Sequence, residues 1–212
     1  MPRVLVEACV ETITDALAAQ DAGADRIELC VSLHEGGVTP SAGLIAACSE
    51  ALAIPVHVLV RPRAGDFVYG AREVDICLRD IAAAKTAGAA AVVVGALTAQ
   101  GTLDLPRLAD FVRAARPLTV GVHRAFDGIV DQAAALEQLV TLGVDVVLTS
   151  GRAPTAMEGA DRLKALVTQA AGRIQVLAGG KVSVGNVRPL VARTGVPAVH
   201  ARAFSGLAAA LA

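Results

Sequence analysis

Eight short runs of apolar, largely β-branched residues alternate with Ala-rich segments from one end of the chain to the other. The runs occupy residues 4–9, 26–30, 56–61, 91–95, 118–123, 144–149, 174–178 and 198–201. Between them lie helix-like segments at 13–22, 44–52, 73–87, 105–115, 132–142, 157–170 and 187–193. A nearly continuous apolar strand buries both of its faces, which requires a parallel sheet covered by helices. Eight strands in 212 residues leave about 26 residues per strand–helix unit, enough for a compact (β/α)8 barrel. No Gly-x-Gly-x-x-Gly follows the first run, so an open nucleotide-binding sheet has little support.

An internal repeat points the same way. Gly23, Gly88, Gly143 and Gly195 each end a helical segment and lead through a small step into a run. They lie 65, 55 and 52 residues apart, two strand–helix units each time. Glycine at these points suits a left-handed helix C-cap. Residues 1–212 show no linker, low-complexity stretch or break in composition and are expected to form a single (β/α)8 domain, an α/β TIM barrel.

Composition narrows the function classes. Hydrophobic residues make up 54% of the chain, ample for a packed core and incompatible with a disordered chain. Nineteen basic residues face 20 acidic ones, so no long-range field recruits nucleic acid or an anionic membrane. The apolar excess is Ala and Val spread through charged helices, which argues against a transmembrane chain. The opening Met1-Pro2-Arg3-Val4-Leu5-Val6-Glu7 is acidic too soon for a signal peptide, and the four cysteines read as reduced thiols. A cytoplasmic protein is expected. An exposed apolar helix face in so Ala-rich a chain suggests a homodimer or higher homo-oligomer.

In a (β/α)8 barrel the chemistry sits at the C-terminal ends of the strands. Glu7 and Cys9 fall there on the first run, Glu28 and Cys30 on the second, and Arg61 on the third, followed by Arg63, Asp66, Phe67 and Tyr69. His123 and Arg124 end the fifth run, Thr149, Ser150 and Gly151 the sixth, Gly179 and Gly180 the seventh, and His200 the eighth. Four of the five aromatic residues lie in these loops, which favours a pocket.

Side chains alternate along a strand, so Glu7, Cys9, Glu28 and Cys30 are expected to point into the barrel. There the two carboxylates share a proton, bind a cation, or pair with an arginine such as Arg61. An internal salt-bridge lattice is the alternative. His123, beside Arg124, is the candidate general acid/base, with Glu7 and Glu28. Arg61, Arg63 and Arg124 would neutralise an anionic substrate, with Asp66 and His200 beside them. Backbone amides around Thr149, Ser150, Gly179 and Gly180 would receive a phosphate or carboxylate. Only Lys181 is placed for a Schiff base, and it follows its strand instead of facing the mouth. Cys9 and Cys30 meet across adjacent strands and suit a soft ion such as Cu(I), although core packing is the default for small buried thiols.

Several blocks together carry a family resemblance: Val6-Glu7-Ala8-Cys9, Gly23-Ala24-Asp25-Arg26-Ile27-Glu28-Leu29-Cys30, Glu35-Gly36-Gly37-Val38-Thr39-Pro40-Ser41, Arg61-Pro62-Arg63-Ala64-Gly65-Asp66-Phe67, His123-Arg124-Ala125-Phe126-Asp127 and Leu148-Thr149-Ser150-Gly151. The sequence resembles the CutC family of copper homeostasis proteins, in order and over nearly the whole chain. The resemblance implies a (β/α)8 barrel, cytoplasmic location, self-association and a role linked to copper, with Cys9 and Cys30 at the family's copper-associated cysteine positions. The sequence departs from the family pattern at Ala64, at Lys181 and around His200, where Ala198-Val199-His200-Ala201-Arg202-Ala203 lacks the usual acidic residue and the small polar or thiol residue. Two functions follow as expectations: a copper homeostasis factor that binds Cu(I) through Cys9 and Cys30, or an enzyme acting on a small anionic or phosphorylated metabolite at the barrel mouth.

Overall fold

The computed structural model describes residues 3–212; Met1 and Pro2, with which the opening segment begins, lie outside the described residues. Its eight strands form a closed parallel barrel in sequence order: β1 (Leu5–Val10), β2 (Arg26–Leu29), β3 (Val56–Leu59), β4 (Ala91–Val94), β5 (Thr119–Val122), β6 (Val146–Thr149), β7 (Gln175–Ala178) and β8 (Ala198–Ala201). Eight α-helices cover it: α1 (Ile13–Asp21), α2 (Ala42–Ala51), α3 (Ala71–Thr86), α4 (Leu105–Ala115), α5 (Gln132–Leu142), α6 (Ala160–Ala170), α7 (Val187–Thr194) and α8 (Leu207–Leu211). Among the described residues no helix is long and apolar enough to cross a membrane.

Local chemistry sets the helix ends. Thr12, Ser41, Asp104 and Asp131 accept hydrogen bonds from the backbone N–H three residues on, at 3.0, 3.2, 3.3 and 3.0 Å, and so start α1, α2, α4 and α5. At the other end, Gly143 and Gly195 stop α5 and α7 with φ of 75° and 70°, where a side chain would be strained.

Strand residues of one parity, such as Val6, Ala8, Ile27, Leu29, Val58, Val92 and Val94, join the helices in one continuous apolar layer. Residues of the other parity fill the barrel. Leu5, Val146, Leu148, Leu177 and Ala198 make an apolar interior on one side, and Cys9, Cys30, Leu59 and Val93 a smaller cluster on the other. Four of the strands end earlier than the apolar runs suggest. The ladder stops at Leu29, Leu59, Val94 and Val122, so that Cys30, Arg61 and His123 lie just beyond it, at the rim. Two 3-10 turns shape that rim, Leu33–Glu35 after β2 and Arg124–Gly128 after β5.

Candidate functional site

The interior below the mouth is polar where β1, β2, β3, β7 and β8 meet. Glu7 is 1% exposed, and its carboxylate accepts from Arg26 Nε at 2.6 Å and from His200 Nδ1 at 2.8 Å, with His57 Nδ1 at 3.3 Å. Arg26 reaches across the barrel to donate to Gln175 at 2.9 Å. Burial opposes the charge on Glu7, but the hydrogen bonds from His200 and His57 and the charge of Arg26 hold its pKa well below the usual carboxylate range. The arginine beside Glu7 is therefore Arg26, the register partner of Glu7, and not Arg61. Burial pushes His200 down, but the charge of Glu28 and the bond to Glu7 outweigh it, so His200 titrates above its ordinary value.

Glu28 sits one register step up, opposite Cys9. Burial drives its pKa up to about 7; the His200 charge counters this and the Glu7 charge adds to it. Cys9 Sγ lies 3.8 Å from Cys30 Sγ. The Cys30 contact, then burial, then the Glu28 charge push the Cys9 thiol far above its usual value. Cys9 also belongs to a second donor set, since donor atoms of Cys9, Glu28 and His200 all lie within 4.8 Å of one another. Glu7 holds His200 Nδ1, which leaves Nε2 available as a donor, the arrangement of a carboxylate orienting a metal-binding histidine.

The rim adds a second constellation. Arg61 is 5% exposed and donates to the carbonyls of Glu35, Gly37 and Gly65 at 3.1, 2.9 and 2.7 Å. Its guanidinium stacks on Phe67 at 4.9 Å. Among the described residues no carboxylate lies within salt-bridge distance of it. His123 accepts the Ala125 N–H at Nδ1, at 3.1 Å. Burial, then the Arg61 charge, push its pKa down to about 3, so the ring is neutral. An inner cavity of about 110 Å³ is lined by Glu28, Arg61, His123 and Arg124 and walled by Phe67. A vestibule of about 420 Å³ shares Cys9, Leu33, Arg124 and His200 with it and adds Lys181 and Arg202.

Other expected residues fall elsewhere. Arg63 is bound to Glu73 and Asp66 and to loop carbonyls, so Arg63 and Asp66 brace their own loop and line neither cavity. The amides expected to receive an anion after β6 are already occupied. Asp127 accepts the N–H groups of Ser150 and Arg152 and the hydroxyls of Thr149 and Ser150, while Gly151 N–H goes to Thr149. A carboxylate of the chain itself thus holds the loop at Thr149 and Ser150. Burial opposes its charge, but Thr149, Arg124 and the Ser150 amide keep Asp127 below its ordinary pKa. Asp127 and Arg26 are the residues whose roles motif reading passed over, because their partners lie on other strands and loops.

Gly180 reaches the vestibule wall, whereas Gly179 is packed against Leu148, where a Cβ would come within 2.6 Å. Of the loop aromatics only Phe67 faces the inner cavity; Tyr69 and Phe126 are buried in the layer beneath the helices. A larger hollow of about 610 Å³, lined by Arg3, Val4, Arg188, Val191 and the C-terminal residues, lies away from this chemistry.

The chain is thus a closed (β/α)8 barrel that gathers a thiol pair, a buried Glu/His/Arg cluster and a basic pocket toward its C-terminal mouth. The CutC family pattern matches residues 4–205. A CutC family protein of Xanthomonas campestris is 46% identical over 204 residues, covering 96% of this chain and 85% of the relative. The human copper homeostasis protein cutC homolog is 44% identical over 201 residues, covering 95% and 74%. The solved structure of CutC from Streptococcus agalactiae superposes with a TM-score of 0.91 at 35% identity, over 95% of this chain and 99% of that one. The chain belongs to the CutC family. Phosphoenolpyruvate phosphomutase from Streptomyces platensis, at a TM-score of 0.67 and 17% identity over 99% of this chain and 79% of that one, shares the barrel alone.

Proposed function

We propose that the protein takes part in copper homeostasis by binding Cu(I) between Cys9 and Cys30, with the ion as cargo. The observation that carries this reading is the pair of sulfurs 3.8 Å apart at the rim of the barrel. With bonds of about 2.3 Å, the length of a metal–thiolate contact, a near-tetrahedral S–metal–S angle spans about 3.8 Å. The pair therefore needs little rearrangement, and soft sulfur donors select Cu(I). His200 and Glu28 stand beside Cys9 as further donors. The copper homeostasis relatives support the same reading.

Both thiols must lose their protons to bind, so the metal competes with protons and binding strengthens as pH rises. The test is an anaerobic Cu(I) titration against a competing chelator, on the wild type and on the folded Cys9→Ala/Cys30→Ala variant. One tightly held ion, lost in the variant, is expected. An unchanged stoichiometry in the variant would sink the assignment.

A further inference from the structure

We infer that the inner cavity at the barrel mouth binds a small hydroxycarboxylate, its carboxylate received by Arg61 and His123 and its hydroxyl donated to Glu28. Six buried side-chain polar atoms among the described residues have no hydrogen-bond partner, and three of them line this one cavity: Arg61 Nε, His123 Nε2 and Glu28 Oε2. Buried polar groups are otherwise satisfied almost without exception, so three orphans converging on one space indicate a missing ligand.

The chemistry of the orphans describes that ligand. A guanidinium has five N–H groups, and three of those of Arg61 are given to loop carbonyls. Two donors and an unneutralised charge are left. The neutral ring of His123 accepts at Nδ1 from Ala125, which places its proton on Nε2 as a donor. Two donors around a buried cation call for an oxyanion. Glu28 Oε2 stands opposite in kind and calls for a hydroxyl. A ligand carrying both groups satisfies all three atoms at once.

Size restricts it further. The inner cavity of about 110 Å³ holds roughly four water volumes, room for an acid of about two or three carbons. The approach is favourable to anions, because the vestibule is lined by Arg124, Lys181 and Arg202 and by no carboxylate. Cys9, Glu28 and His200 border this cavity, so it adjoins the thiol pair, but the inference rests on the unpaired atoms of Arg61, His123 and Glu28 and not on a bound ion.

The test is a titration of metal-free protein with sodium glycolate and sodium lactate, followed through the NMR signal of the Arg61 Nε–H. Acetate and inorganic phosphate serve as comparison probes. A saturable shift with glycolate or lactate is expected, with acetate about tenfold weaker because it leaves Glu28 without its donor. His123→Asn keeps an acceptor for the Ala125 N–H but removes the Nε2 donor, and should weaken binding about tenfold or more. Arg61→Lys, which keeps the charge but removes the fork, is the second variant and should weaken it similarly. No saturable shift with either hydroxycarboxylate to about 10 mM would overturn the inference. So would undiminished binding by both variants, or binding of phosphate in preference to glycolate.

Discussion

Replacing Glu7 by Gln should destabilise the barrel far more than its near-identical shape suggests. The carboxylate is almost wholly buried and serves Arg26 at 2.6 Å, His200 at 2.8 Å and His57 at 3.3 Å. Gln keeps the volume but offers one acceptor oxygen in place of two and removes the charge. Arg26 then stays buried with only Gln175 as a partner. Removing one member of a buried ion pair costs about 3–5 kcal/mol. At roughly 2–4 °C per kcal/mol for a chain of this size, Tm should fall by about 6–20 °C. The assay is urea and thermal unfolding of both proteins across pH. Glu7 titrates lower when folded than when unfolded, so its contribution is present above its unfolded value, near 4.3, and is lost as pH falls through the folded value. His200 has the opposite sign, its contribution being complete below its unfolded value, near 6.5, and lost as pH rises through its raised folded value. The gap between wild type and variant should therefore be widest between about pH 4.5 and 6.5 and narrow in acid. A gap below about 1 kcal/mol at pH 6, or one that does not narrow in acid, would refute the charged-centre reading.

Glu28→Gln should act with the reverse pH dependence. Burial holds Glu28 at about 7, so wild-type stability from this group is greatest below its unfolded pKa and declines as pH rises to about 7; unfolding of the Gln variant should lack that decline, on the order of 3 kcal/mol. Asp127→Asn should loosen the rim after β6, because it discards acceptors for Thr149, Ser150 and the Arg152 amide. A loss on the order of 3 kcal/mol in chemical denaturation, with faster amide exchange at Ser150 and Arg152, is expected.

The architecture was legible in the sequence because period and punctuation agreed. Every apolar run became a strand, and Gly143 and Gly195 stopped helices as the repeat implied. Parity correctly sent Glu7, Cys9, Glu28 and Cys30 to one region, but parity cannot give register. Only the stagger between β1 and β2 sets Glu7 opposite Arg26 and Cys9 opposite Glu28. Closure brought in His200 and Gln175, which lie far from Glu7 in the chain. The loop after β6 misled for a different reason: a cradle of amides looks the same in sequence whether a ligand or an internal carboxylate fills it. Asp127 sits 22 residues from Thr149, a distance no local motif spans. Likewise Arg63 has the residue type of an anion binder, and only the folded loop shows it spent on Glu73 and Asp66.

A ring has no first member in space, although its chain does. The first strand must be stitched on both sides, to the second and to the last, before the cylinder exists. One side chain on β1 does both, since Glu7 is matched with Arg26 of β2 and with His200 of β8. The opposite wall, where Val146, Leu148 and Leu177 meet, adds only apolar side chains to its backbone ladder. The seam that closes the barrel thus carries, beside its backbone ladder, one ionised carboxylate matched to both neighbours, and proton concentration acts on the stability of that seam as well as on its chemistry.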